Sequence, residues 1–203
     1  MKKRILFIGD SITESGRDYN DESSLGTGYV KMLYDEFLKY NYIVLNKGIG
    51  GNKILDLKNR IEKECISFKP DIVSIMIGIN DVWHCMNSGS YDIDIEMKRF
   101  ENLYRDMLSS LRNLNIENII LIEPFVLSYP EDRKFWLNDL DRRRCIIKNL
   151  ADEYNCLFVS VHNKINEVSL INGVKKYSED GVHPTIYGHT VIANQLLPVI
   201  KNM

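Results

Sequence analysis

The sequence predicts a three-layer α/β/α domain built on a parallel sheet of about five strands. Three observations lead there: five short apolar runs are spread along the chain, longer segments of helical spacing lie between them, and the two kinds of segment alternate. With 203 residues, 44% of them hydrophobic, the chain can bury a substantial core. Residues 1–203 are therefore expected to form a single domain.

The first run is Ile5-Leu6-Phe7-Ile8, followed by Tyr42-Ile43-Val44-Leu45, Ile72 to Ile77, Ile119 to Ile122 and Leu157-Phe158-Val159. Apolar runs without polar alternation read as strands buried on both faces. Between the third and fourth, Phe100, Leu103, Met107, Leu111 and Leu114 recur at steps of three and four, the apolar stripe of a surface helix. Further helices are expected over about 29–39, 54–67 and 134–154, and from a Thr185 cap through Ile200. The polar, aperiodic stretches 18–24 and 87–94 are expected as loops beside the active face. Internal repeats, low-complexity stretches and linkers rich in proline or glycine are missing from the sequence.

Composition narrows the partners. A formal net charge of -2 with mixed signs gives no electrostatic reason for nucleic acid or an anionic membrane. The basic start Met1-Lys2-Lys3-Arg4 is followed by only four apolar residues, too few for a signal peptide or membrane span, so a cytoplasmic location is expected. Cys65, Cys85, Cys145 and Cys156 are scattered, which suggests buried free thiols rather than a zinc site or a disulfide framework. The Asp139 to Arg144 stretch, with three consecutive arginines at 142–144, reads as a solvated face or as part of an interface, the solvated face being the favoured reading. Oligomeric state is not legible, and a homo-oligomer stays open.

In an open parallel sheet, reactive groups collect beyond the carboxyl ends of the strands. Gly9-Asp10-Ser11-Ile12-Thr13 directly follows the first strand, where Ser11 can face the crevice; alone, the pentapeptide reads more readily as a helix cap. Asn46-Lys47-Gly48-Ile49-Gly50-Gly51-Asn52 after the second strand brings bare N–H groups close to a ligand. A phosphate-binding reading lacks the third glycine of a dinucleotide fingerprint, where Lys53 stands. Gly78-Ile79-Asn80-Asp81 after the third strand offers an amide donor or a plain Asn-Asp turn. Asp180-Gly181-Val182-His183-Pro184 puts a carboxylate and an imidazole three residues apart before the last helix. Each signal is modest, but together they supply a hydroxyl, a base, an orienting carboxylate and oxyanion donors.

These four segments resemble, in order and over nearly the whole chain, the four sequence blocks of the SGNH (GDSL-like) hydrolases. The resemblance implies a flavodoxin-like sheet and an esterase with Ser11 as nucleophile, His183 as base and Asp180 orienting the imidazole. It makes Ser11 N–H, Gly51 N–H and the Asn80 side chain the oxyanion hole, and it requires no metal or organic cofactor. Gly50 stands where many relatives carry serine, which is expected to loosen that turn without removing its N–H. The Gly-x-Ser-x-Gly elbow of ordinary α/β-hydrolases is missing from the sequence. Because His183 must be neutral to accept the serine proton, activity is expected to rise with pH as the imidazole deprotonates.

The stretches Leu25 to Val30 and Ser74 to Trp83 are similar to a subgroup that deacetylates xylan and xylo-oligosaccharides, implying an acetylated sugar as the small-molecule substrate. The alternatives are a short-chain or lysophospholipase-like esterase of lipid-derived esters and, from another class, a non-catalytic nucleotide- or sugar-binding module. Asp10, Trp83 and His84 are the candidate substrate contacts, and Trp83 reads equally as core packing. Tyr129 and Trp136 are read as rim residues, and His189 as a structural histidine.

Overall fold

In the computed structural model, which describes residues 2–203, the apolar runs become β1 (Lys3–Gly9), β2 (Tyr42–Gly48), β3 (Ile72–Met76), β4 (Asn118–Ile122) and β5 (Leu157–Val159). They pair in the order β2-β1-β3-β4-β5, every pair parallel. The helices are α1 (Ser11–Glu14), α2 (Tyr29–Leu33, continued by a π turn at Tyr34–Leu38 and by Lys39–Asn41), α3 (Ile54–Phe68) and α4 (Ile79–Asn87). After them come α5 (Ile93–Asn113), α6 (Leu137–Glu153, preceded by a 3₁₀ turn at Glu131–Trp136), α7 (His162–Asn172) and α8 (Ile186–Lys201).

The pleat of β1 explains the three layers, since successive side chains point to opposite faces. Ile5 and Phe7 pack with Val30 and Leu33 of α2, Ile165 of α7 and Ile192 of α8. Leu6 and Ile8 pack with Leu57 and Ile61 of α3, Tyr104 and Met107 of α5, and Ile147 of α6. The expected burial on both faces holds for the central strands but not for the edges, where Ile43 of β2 is 47% exposed and Leu157 of β5 is 44% exposed. An edge strand has a neighbour on one side only, and the covering helices do not reach past it.

Register positions the site. Gly9 pairs with Gly48 on one side and Met76 on the other, so β1, β2 and β3 end level. The chain order changes direction between β1 and β3, and the crevice of such a sheet opens there.

Several helix boundaries differ from expectation. Asp92 caps α5 by accepting from Asp94 N (3.0 Å) and Ile95 N (3.1 Å), so the helix starts seven residues before Phe100 and shortens the expected 87–94 loop. Helix α7 was not expected, because only His162, Ile165 and Ser169 bury and its apolar stripe is faint. The arginine run is not simply a solvated face. Arg143 is 1% exposed and doubly bonded to buried Asp139 (2.6 and 3.2 Å), while Arg144 reaches buried Glu123 at 2.9 Å. A helix turns one residue in three or four inward, and here the inward one found a carboxylate four residues earlier. All four cysteines are free, but only Cys65 and Cys85 are buried; Cys145 is exposed.

Candidate active site

Ser11 owes its position to the abrupt end of β1. A side chain on Gly9 would strike the Met76 carbonyl, so only glycine lets β1 run this close to β3. Asp10 then caps α1 by accepting the Ile12 N–H at 3.0 Å, and Ser11 becomes the first helical residue. The cap belongs to Asp10, which leaves the Ser11 hydroxyl unengaged by its own helix and its N–H without an intrahelical acceptor.

That hydroxyl lies 3.1 Å from His183 Nε2, and His183 Nδ1 lies 2.6 Å from Asp180 Oδ2. The second carboxylate oxygen of Asp180 accepts the backbone N–H groups of Val182 (2.9 Å) and His183 (2.7 Å). Partial desolvation would raise this carboxyl, but the hydrogen bonds from the His183 ring and backbone outweigh it and hold the group at about 2. It is therefore an ionised acceptor throughout the neutral range. The turn is moored to the fold by Leu127 N–H donating to Gly181 O at 2.8 Å.

Ser11, Gly51, Asn80, Trp83, His84, Asn87 and His183 line one cleft of about 430 Å³, within the size range of small-molecule sites. Gly51 sits at φ +77, in the left-handed region that favours glycine. Asn80, in the first turn of α4, donates one amide hydrogen to Asn52 O at 3.1 Å, which fixes the side chain. Trp83 is half-buried, its ring 6.2 Å from His183 and 5.2 Å from Trp136.

Two readings need correction. Asp10 is no substrate contact: it is 1% exposed beneath Ser11, and burial pushes its carboxyl up to about 7 against the opposing pull of the Ile12 hydrogen bond and His183. Nor does Trp136 shape the rim. It is 3% exposed and packs behind Trp83 with Arg133, whose guanidinium carbon lies 4.1 Å from its ring centre and 5.0 Å from that of Trp83.

Two contributors went unread in the sequence. Arg133 donates to the Asp180 carbonyl at 3.2 Å, and no local pattern announces that. Asn87 was detectable: positions 80, 83, 84 and 87 share one helical face, and Asn80, Trp83, His84 and Asn87 all line the cleft. His189 is buried, pushed down to about 4 by desolvation, and bonded to Ser15 Oγ at 3.1 Å. Among the described residues, no cluster of three or more His, Cys, Asp or Glu side chains is arranged to hold a metal ion. No described helix is long and apolar enough to cross a membrane.

A doubly wound parallel sheet with hydroxyl, imidazole and carboxylate aligned at its carboxyl edge has the make-up of an α/β-type hydrolytic enzyme. Residues 7–191 match the GDSL-like Lipase/Acylhydrolase family, and the chain belongs to it. It is accordingly a carboxylic ester hydrolase of the SGNH fold. The acetylxylan esterase of Geobacillus stearothermophilus is 36% identical over 96% of this chain and 92% of its own length. Its crystal structure superposes with a TM-score of 0.83 at 34% identity, over 98% of this chain and 94% of that one. A Parabacteroides merdae protein provisionally described as a GDSL-like lipase gives a TM-score of 0.88 at 32% identity, over 100% and 98% of the two chains. Three alanine variants of the Geobacillus esterase, at a serine, an aspartate and a histidine, are described as catalytic mutants. That aspartate precedes its histidine by three residues, the spacing of Asp180 and His183 here.

Proposed function

We propose that this chain hydrolyses acetyl esters of carbohydrates, of the acetylated xylo-oligosaccharide kind, through an acyl-enzyme on Ser11. The observation that carries the reading is the unbroken relay from Asp180 Oδ2 to His183 Nδ1 (2.6 Å) and from His183 Nε2 to Ser11 Oγ (3.1 Å), opening on a cleft walled by Trp83.

Asp180 accepts a hydrogen bond from His183 Nδ1–H, so the Nε2 lone pair faces Ser11 and takes its proton as Oγ attacks the ester carbonyl. The carbonyl oxygen becomes an oxyanion held by Ser11 N–H, Gly51 N–H and the free amide hydrogen of Asn80. Collapse expels the sugar alkoxide, which takes the proton back from His183 and leaves acetyl-Ser11. Water, deprotonated by His183, then attacks the acetyl carbonyl, and acetate departs as Ser11 regains its proton. Trp83 supplies a flat apolar wall suited to a sugar ring or a methyl group, with His84 and Asn87 as polar contacts on the same helix face. The acetylxylan esterase activity of the Geobacillus relative supports the substrate class.

The test is acetate release from acetylated xylo-oligosaccharides beside p-nitrophenyl esters of increasing chain length, for the wild type and Ser11→Ala. Ser11-dependent release from the sugars, with acetate preferred over longer acyl groups, is expected. Inert sugars with faster hydrolysis of longer chains would move the substrate to lipid-like esters.

A further inference from the structure

Arg60, near the middle of α3, does not line the cleft, yet its guanidinium meets the backs of the segments that do. Its Nε donates to Asn52 Oδ1 at 2.8 Å and its Nη2 to Gly9 O at 3.0 Å. Gly9 O also accepts Ile49 N–H at 3.1 Å, and the backbone oxygen of Asn52 accepts Asn80 Nδ2 at 3.1 Å. Gly9 stands two residues before Ser11 and Asn52 one residue after Gly51. One planar, three-nitrogen group is thus tied to the segments that carry all three oxyanion donors, each from a different strand end.

Stability alone is a poor reason for this arrangement. The third guanidinium nitrogen, Nη1, is buried without a hydrogen-bond partner, and burial pulls the group's proton affinity down to about 10, leaving it a desolvated cation at neutral pH. A half-buried cation with one buried, unanswered donor costs free energy that an apolar side chain at the same place would not. Its geometry offers what an apolar residue lacks: two donors in a rigid fork, spaced to hold two separate loops in register. Lysine has one nitrogen on a flexible stem and cannot reproduce both contacts.

We infer that Arg60 is a positioning residue for the oxyanion hole, holding Ser11 N–H, Gly51 N–H and Asn80 Nδ2 in register through Gly9 O and Asn52. The inference rests on the serine-esterase reading above. Donors aimed at a developing oxyanion act in the transition state rather than on bound substrate, so displacing them lowers kcat and leaves KM nearly unchanged. A residue that merely supported the fold would instead lower the fraction of active protein.

The experiment compares Arg60→Lys, Asn52→Ala, Asn80→Ala and the Arg60→Lys/Asn80→Ala double variant, with Ser11→Ala as control. It measures kcat and KM for p-nitrophenyl acetate, counts active sites with a fluorophosphonate, and records the affinity of a boronic acid that forms a tetrahedral adduct on Ser11. Arg60→Lys is expected to lose about 10–100-fold in kcat per titrated site, with KM within about threefold and boronate affinity falling in step. The double variant is expected to lose far less than the product of the single losses, because both changes act on one donor set. A kcat per site within about twofold of wild type overturns the inference, as do losses that multiply or that fall in KM. If Arg60→Lys does not fold, Asn52→Ala decides, since it removes the Nε acceptor and keeps the arginine; unchanged kcat there overturns the inference too. An inactive Ser11→Ala beside a fully active Arg60→Lys sinks this inference alone, whereas an active Ser11→Ala sinks the esterase reading and this one together.

Discussion

Two serine–histidine pairs stand side by side in this molecule with the same Oγ–Nε2 distance of 3.1 Å: Ser11 with His183, and Ser15 with His189. They differ in what stands behind the ring. His183 Nδ1 faces an ionised carboxylate that can only accept, so Nδ1 carries the proton and Nε2 offers its lone pair to Ser11. His189 Nδ1 is met at 3.3 Å by the Tyr29 N–H, which can only donate, so the proton sits on Nε2 and points at Ser15. One ring is built to take a proton from a serine and the other to offer one. Surroundings complete the contrast: His183 is half-exposed on the cleft, while His189 is 5% exposed and stacked 6.3 Å from Tyr29. A short serine–histidine contact is therefore no sign of a nucleophile until the far nitrogen's partner is known.

The largest expected effect separates the two serines. Ser11→Ala should lower kcat for acetate release by at least about 10⁴-fold, whereas Ser15→Ala should stay within about threefold. An active Ser11→Ala, or a folded but inactive Ser15→Ala, would reverse the assignment. Next comes Asp180→Asn, whose amide can donate to Nδ1 and so impose on His183 the tautomer that His189 already has. A loss on the order of 10⁴ in kcat is expected, and retention of more than a tenth of the activity would mean the carboxylate does not set the tautomer. Asn80→Ala leaves both pairs intact and removes one oxyanion donor, so kcat should fall about 10²–10³-fold with KM little changed; a loss confined to KM would make Asn80 a ground-state contact.

The smallest effect is on stability. An unfolded histidine takes up a proton near pH 6.5, whereas burial holds His189 and His162 unprotonated down to about 4. Between those values the unfolded chain binds more protons, so stability is fully present above pH 6.5 and is lost as pH falls toward 4, by roughly 3 kcal/mol per ring at most. Urea unfolding at pH 7 and pH 5 should show a shallower loss for His189→Gln than for the wild type. Equal losses would show that His189 is solvated in the folded state.

Much of the fold was legible because a parallel sheet buried on both faces writes itself as apolar runs, and the strands at Ile5, Ile72 and Ile119 lie where those runs do. Edge exposure at Ile43 and Leu157 was not legible, since strand order is absent from local composition. Helix α4 hid behind the polar spacing of Asn80, Trp83, His84 and Asn87, whose common face is the cleft wall rather than the core. Asp10 was misplaced because a buried cap and a ligand contact share the same residue type one position from the serine.

The sequence by itself determined the reaction class, because the chemistry needs a hydroxyl, an imidazole, a carboxylate and amide donors, and these stand in recognisable segments at the ends of apolar runs. Tertiary structure alone decided which nitrogen of each histidine carries its proton, and that Arg133 and Arg60 reach the site's segments from outside it. The reason is physical: tautomer, burial and hydrogen-bond partner are set by groups up to 174 positions away in the chain, as between Ser15 and His189, and no local pattern records them.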